Sequence, residues 1–279
     1  MDTKKKINVT ILGSTGKIGL YLANKYLEEG HNLNLFYRKE KNKILIKRKL
    51  KNLNYKNKIK LLKFNSSSEN NLIKCIKKNK KVFKKTDLLV ITIAEQGEIN
   101  NFFKINSKSF NKSFYINFLF YVIFFRIFFK ILNKNKKLLV ILFSGGGSTS
   151  FRENFSTYSL SKVCLVKLTE IMSKEIHSKK VRFNILSPGI IYSKMTKQIL
   201  KNKNKVSKYE LIKINRNIKY SEINLNNIFT TINFLNSRKG EKITGKLISS
   251  AWDKINKINS KIIYKLVNSN MYTLIRKEF

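Results

Sequence analysis

At 279 residues the chain is long enough to bury a sizeable core as one large domain. Its two cysteines, Cys75 and Cys164, lie within apolar helical patterns and are too few for a disulfide framework, which fits buried thiols in a reducing, cytoplasmic compartment. The net charge of +42 would alone point to nucleic acid, anionic membrane or acidic substrates, yet the basic residues are spread along the chain, Pro and Trp fall to one each, and no nucleic-acid-binding motif accompanies them. The charge therefore reads as the amino-acid profile of an AT-rich coding sequence, and no nucleic-acid partner is expected.

In chain order, MDTKKKINVTIL has a basic start, but its apolar run is too short for a secretory signal and is interrupted at Gly13. It reads as a first strand, INVTIL (7–12). Further strand-length apolar runs are NLNLFY (32–37), KIKLLKF (58–64), DLLVITIA (87–94), KKLLVILF (136–143), VRFNIL (181–186) and KLISS (246–250). Between them lie helical patterns: LYLANKYLEEG, the segment around 40–52, SENNLIKCIKK, the aromatic stretch 113–132, and SLSKVCLVKLTEIMSKEI. Apolar strands separated by helices predict an α/β fold, a doubly wound parallel sheet of about seven strands with helices on both faces.

The stretch SFYINFLFYVIFFRIFFKIL (113–132) is apolar enough to raise a membrane span. Asn117, Arg126 and Lys130 interrupt it, and the run before Arg126 is shorter than the roughly 20 residues a span needs. The expectation is a buried or subunit-interface helix, with no membrane span.

Two places carry the chemistry. The first strand runs directly into GSTGKIG, with Gly13, Gly16 and Gly19 ahead of an apolar helix. This spacing permits a tight turn, close approach of backbone N–H groups to a pyrophosphate, and close packing of helix on strand. The second place follows the fifth strand, where FSGGGSTS puts Ser144 at the strand's carboxyl end and Tyr158 opens the next helix with Lys162 one turn on. The Tyr-x-x-x-Lys spacing recurs at Tyr21/Lys25, Tyr37/Lys41 and Tyr209/Lys213, but without a serine at a strand end. His31 and His177 are isolated and suggest neither a metal nor a catalytic triad.

From the glycine turn to the C-terminus the order of motifs resembles the short-chain dehydrogenase/reductases, which have a Rossmann fold: the glycines, a D-x-L-V strand, INF (116–118) with the helix Asn117, Ser144, YSLSK, and NILSPGIIYSKM (184–195). The resemblance implies one NAD(P)-binding domain over 1–250, with a substrate lid at about 193–220 and a C-terminal extension, 251–279. It implies hydride transfer between a nicotinamide and a small-molecule carbonyl/alcohol substrate. Tyr158 would be the general acid, its pKa lowered by Lys162, which also holds the ribose; Ser144 would bond the carbonyl oxygen, and Asn117 a relay water. Gly13, Ser14, Thr15, Gly16, Lys17, Ile18 and Gly19, then Arg38, Asn65, Pro188, Gly189, Ile191 and Ser193, would contact the cofactor together with Tyr158 and Lys162. Arg38, in FYRKEK at the end of the second strand, favours NADP(H) over NAD(H). Relatives of this kind form homodimers or homotetramers.

The chain departs from that pattern in four ways. ITIA (91–94) stands where N-N-A-G is usual, Asn65 replaces an aspartate, the glycine turn is spaced G-x-x-G-x-x-G as is more typical of the family's extended, sugar-nucleotide branch, and Ser144 precedes Tyr158 by 14 residues, one more than is common. These departures leave a second class open: a cofactor-binding, non-catalytic regulator, or an RNA-binding protein, on the same scaffold.

Overall fold

The computed structural model describes residues 5–50, 58–65, 68–133, 135–255 and 258–275. Residues 51 and 52 of the expected second helix, and the end of the 251–279 extension beyond 275, lie outside the described residues. Strands β1 (Asn8–Leu12), β2 (Asn32–Tyr37), β3 (Ile59–Lys63), β4 (Leu88–Ile91), β5 (Leu138–Phe143), β6 (Val181–Ser187) and β7 (Lys246–Ser249) form one parallel sheet in the order β3-β2-β1-β4-β5-β6-β7. The direction of winding reverses between β1 and β4, which makes their carboxyl ends the switch point where doubly wound sheets take ligands. The helices are α1 (Lys17–Glu28), α2 (Glu40–Lys49), α3 (Glu69–Lys78), α4 (Lys80–Lys85), α5 (Ser107–Phe114), α6 (Phe120–Ile131), α7 (Ser156–Glu175), α8 (Lys194–Lys201), α9 (Lys208–Asn217), α10 (Ser221–Asn236) and α11 (Ser260–Asn268). A π turn, Tyr115–Leu119, joins α5 to α6.

The fourth strand is shorter than the run 87–94 suggested. Thr92 still donates its N–H to Leu12 O at 2.9 Å, but β1 ends there and Gly13 turns away, so β4 has no further ladder partner on that side.

The chain divides into two compact units. The first takes residues 1–93, 122–141 and 178–181. β1, β2 and β4 are buried on both faces while the edge strand β3 is partly exposed, and the centre of the unit is aromatic: Phe36 stacks on Phe83 at 5.4 Å, and Phe83 meets Phe124 and Phe128 edge-on at 5.9 and 5.7 Å. Each such ring contributes roughly 1.5–3 kcal/mol on burial. Thr10 and Thr86 share a hydrogen bond at 2.7 Å, and Asn34 donates to Thr10 at 3.2 Å, so these polar groups inside the unit are satisfied.

This packing uses much of the aromatic stretch. Ser107–Ile131 is a helix long and apolar enough to cross a membrane, with a third of its most apolar window buried. Phe124, Phe125 and Phe128 belong to the chain's own core, while Arg126 and Lys130 are exposed. Phe124 is thus not available to a partner subunit, and an interface on this helix would rest on outward residues such as the half-exposed Leu119.

The second unit takes residues 94–121, 142–177 and 182–279. Leu165 and Val166 of α7, Phe183, Ile185 and Leu186 of β6, and Leu225, Ile228 and Ile232 of α10 are all buried. Arg182 donates to Leu235 O at 2.6 Å and to Gly240 O at 3.2 Å, fixing β6 to the end of α10. The extension is tied back to β7: Lys246 Nζ donates to Ser269 O and Met271 O at 2.7 and 3.0 Å, and Leu247 N to Tyr272 O at 2.8 Å. A smaller apolar cluster gathers Ile99, Phe155, Ile199, Val206 and Ile214, packing α8 and α9 down on the loop ahead of α7. Of the two thiols, Cys75 is buried, whereas Cys164 is only half-buried on α7, because its face of that helix is partly outward.

Candidate active site

In the first unit the glycine turn has a defined shape. Gly13 adopts φ +87°, open to glycine but strained for other residues, and a Cβ there would meet Thr92 Oγ1 at 2.6 Å. A Cβ on Gly19 would meet Gly13 O at 2.5 Å, which is how α1 starts so close to β1. Gly16 differs: the nearest atom to its missing Cβ is Gly13 O at 3.5 Å, so the turn is open on this side. Gly16 is also the N-cap of α1 and offers the first-turn amides no side-chain acceptor. An open glycine beside a helix N-terminus is the cradle a pyrophosphate fits. Ser14 is different from its neighbours Thr15, Lys17 and Ile18, for its buried hydroxyl donates to Phe36 O at 2.8 Å and serves the scaffold.

Arg38 is exposed just past β2, and Asn65 is exposed just past β3. The segment FYRKEK does hold one carboxylate, Glu40, which accepts from the Tyr37 hydroxyl at 3.3 Å.

In the second unit, β5 delivers Ser144 and α7 delivers Tyr158 and Lys162, all three buried. Ser144 N donates to Leu186 O at 2.9 Å, and its hydroxyl donates to Ser148 Oγ at 2.8 Å, which in turn donates to Gly145 O at 3.0 Å. The run Gly145-Gly146-Gly147 makes room for side chains. A Cβ on Gly145 would land on the Tyr158 hydroxyl, one on Gly146 would meet Arg152 Cδ at 3.6 Å, and one on Gly147 would land on Ser159 Oγ.

Lys162 Nζ donates to Phe143 O at 2.8 Å and lies 5.6 Å from the Tyr158 ring centroid. Burial without a carboxylate pushes its pKa down to about 7. The Tyr158 phenol is not depressed as expected: burial pushes it above its ordinary value, and the opposing cation is Arg152, while Lys162 is engaged with the Phe143 carbonyl.

Asn117 sits in the π turn, fully buried, and its carboxamide clasps one residue of the loop after β4. Its Oδ1 accepts from Glu95 N and its Nδ2 donates to Glu95 O, both at 2.9 Å. Ser113 adds a bond to Glu95 Oε1 at 2.7 Å. This bracing holds the segment 95–97, which follows directly on the ITIA that stands in place of N-N-A-G.

After β6, Gly189 has φ +72°, and a Cβ there would meet Ala251 Cβ at 2.9 Å and the Asn224 carboxamide at 3.0 Å. Asn224 donates to Ile190 O at 2.9 Å, and Tyr192 N donates to Ser221 Oγ at 2.9 Å, so the stretch from Pro188 through the buried Ile191 is stapled to α10. Ser193 accepts from Thr196 N as the N-cap of α8.

The structure thus brings Ser144, Tyr158 and Lys162 together in one unit. Tyr209, by contrast, is three-quarters exposed near the start of α9. Sequence reading missed Ser148, Arg152 and Glu210. Ser148 lies inside FSGGGSTS and Arg152 two residues beyond it, but the Arg152–Glu210 ion pair, at 2.8 Å, joins residues with no periodic relation in the chain.

A family model described as short chain dehydrogenase matches residues 7–204. The 3-oxoacyl-[acyl-carrier-protein] reductase of Bos taurus is 43% identical over 44 residues, which is 16% of this chain and 19% of the bovine protein. Among solved structures, levodione reductase matches with a TM-score of 0.74 and 18% identity over 88% of this chain and 98% of its own. ElxO with NADP bound matches with a TM-score of 0.71 and 19% identity over 88% of this chain and 97% of its own.

Proposed function

The chain belongs to the short-chain dehydrogenase family of NAD(P)-dependent oxidoreductases, and from that premise we propose that Tyr158 is its general acid in the reduction of a carbonyl and its general base in the reverse oxidation. The observation that carries this reading is the burial of Tyr158 and Lys162 one helical turn apart, against Gly145 and Phe143, the residues that flank Ser144 at the carboxyl end of β5. Burial keeps the phenol protonated, which is the state that reduction consumes.

A nicotinamide cofactor, when bound, supplies or accepts the hydride. The glycine turn would hold its pyrophosphate, and Lys162 would hold its ribose hydroxyls. The Ser144 hydroxyl, whose one proton here goes to Ser148, would turn to donate it to the carbonyl oxygen as negative charge develops there. Asn117 fixes the loop after β4 and has a second carboxamide hydrogen left for a relay water. Arg38 favours NADP(H) over NAD(H), supported by its exposure at the strand end and by the engagement of Glu40 with Tyr37. The protein acts in the cytoplasm on a small carbonyl/alcohol substrate. It assembles as a homodimer or homotetramer, for which Leu160, Val163 and Ile171 give α7 an outward apolar face.

The test is NADPH-dependent reduction of a panel of small ketones and β-keto esters by Tyr158→Phe and Tyr209→Phe. The first should lose about 100-fold or more in kcat and the second almost nothing. Comparable losses in both, with folding intact, would remove the assignment. In a second assay, Arg38→Ala should lower the NADP/NAD affinity ratio roughly ten- to a hundredfold.

A further inference from the structure

Arg152 stands on the loop between β5 and α7, with its guanidinium 3.8 Å over the Phe155 ring and 5.9 Å from the centroid of the Tyr158 ring. Its Nε and Nη2 both reach Glu210 Oε1 on α9, at 2.9 and 2.8 Å. The side chains are only 11% and 12% exposed, which sets this pair apart from an ordinary surface ion pair whose partners keep most of their hydration. The backbone makes way for it: a Cβ on Gly147 would meet Arg152 Cβ at 3.4 Å, and one on Gly146 would lie 3.6–3.9 Å from its Cδ, Nε and Cζ. A glycine run that seats the tyrosine hydroxyl at its first residue therefore seats this arginine at the next two.

We propose that Arg152 is a positioning residue for proton transfer at Tyr158, and that Glu210 holds it there, so that α9 and the tyrosine are linked through one buried ion pair. The proposal rests on the reading of Tyr158 as general acid. Among the described residues, three titratable or charged groups face the phenol: Arg152 from the preceding loop, Lys162 from the next turn of α7, and Tyr121 from α6. Lys162 is bonded to the Phe143 carbonyl and is neutral above about pH 7, and an ionised Tyr158 opposes the ionisation of Tyr121. Arg152 is the one of the three whose charge favours the phenolate against the effect of burial. Two further bonds place the α8–α9 segment against the same surroundings: Asn154 Nδ2 to Lys205 O at 2.8 Å and Gln198 Nε2 to Gly97 O at 3.1 Å.

The experiment follows the phenol directly by NMR of protein labelled at tyrosine Cζ, with the Tyr158 signal assigned as the one missing from Tyr158→Phe. In Arg152→Gln its titration midpoint should rise. In Glu210→Gln it should fall, because the carboxamide still accepts from the guanidinium while the compensating charge is gone. Arg152→Lys should bring the midpoint back toward wild type. Each pH unit of displacement corresponds to about a tenfold change in ionisation constant, and the pH profile of kcat/KM for ethyl acetoacetate reduction should move in the same sense. Opposite movements in the Gln variants are what a structural role alone does not produce. No movement, or movement in the same direction, overturns the proposal. If Arg152→Gln does not fold, the sign of the Glu210→Gln shift decides it. Retained turnover in Tyr158→Phe would instead overturn the general-acid reading, whatever the titration shows.

Discussion

The two glycine clusters use the same residue for opposite purposes. In Gly13-x-x-Gly16-x-x-Gly19, the outer glycines let backbone pack on backbone, and Gly16 leaves space that no protein atom fills. In Gly145-Gly146-Gly147, the space of each missing Cβ borders a side chain: Tyr158, Arg152 and Ser159 in turn. On the function proposed above, the first cluster would accommodate a ligand, whereas the second accommodates the protein's own side chains. Spacing alone identifies the first, because a strand-to-helix turn needs its glycines at set intervals. The second is intelligible only once the side chains around it are in place.

Gly145→Ala should give the largest effect. Its methyl group meets the Tyr158 hydroxyl, and a displacement of about 1 Å at a reacting group can cost on the order of 100-fold in kcat. NADPH affinity, measured by fluorescence titration, should stay near wild type; a matching loss of affinity would erase the distinction between the clusters. Next comes Gly13→Ala, which combines φ +87° with the Thr92 contact and should cost about 1–3 kcal/mol in denaturant unfolding.

A third measurement gauges how dry the second cluster's neighbourhood is. Folded Lys162 is neutral above about pH 7, whereas the unfolded lysine keeps its proton to about 10.5, so the unfolded state binds more protons between these values. Stability should therefore rise with pH across that window, by at most about 1.4 kcal/mol per pH unit from this group, and fall as pH drops toward 7. Urea titrations of wild type and Lys162→Met at pH 7 and 9 should differ in slope with pH; parallel behaviour would show that water reaches the amine. The smallest change in stability is expected for Gly16→Ala, within about 0.5 kcal/mol of wild type, together with weaker NADPH binding. Unchanged binding would mean that the open side of the turn does not face the cofactor.

Much of the fold was legible because parallel strands buried on both faces are written as unbroken apolar runs, as in LLVILF of β5. Strand ends were less legible: β4 stops where its neighbour turns away, which depends on Gly13 far off in sequence. Within the site, Ser144, Tyr158 and Lys162 stand close enough in the chain for a local pattern to group them. The Glu95 backbone that engages Asn117, and the Glu210 that holds Arg152, are tertiary partners without a periodic signal. The aromatic stretch misled in part, since composition shows that Phe124 must be covered but not that Phe83 and Phe128 cover it.

The π turn at Tyr115–Leu119 has a consequence for how this region tolerates change in length. A π turn accommodates one residue more than an α turn and offsets the side-chain faces on either side of it by about 100°. Here the offset falls between α5, whose Ser113 braces Glu95, and α6, whose Phe124 and Phe128 enter an aromatic core, while Asn117 occupies the wide turn itself. Deleting Ile116 would let the helix close into regular α geometry, but it would shift every side chain on one flank by a register step. The extra residue acts as a phase adjuster between two helical segments that answer to different neighbours, so substitutions within the turn should be better accepted than any insertion or deletion there.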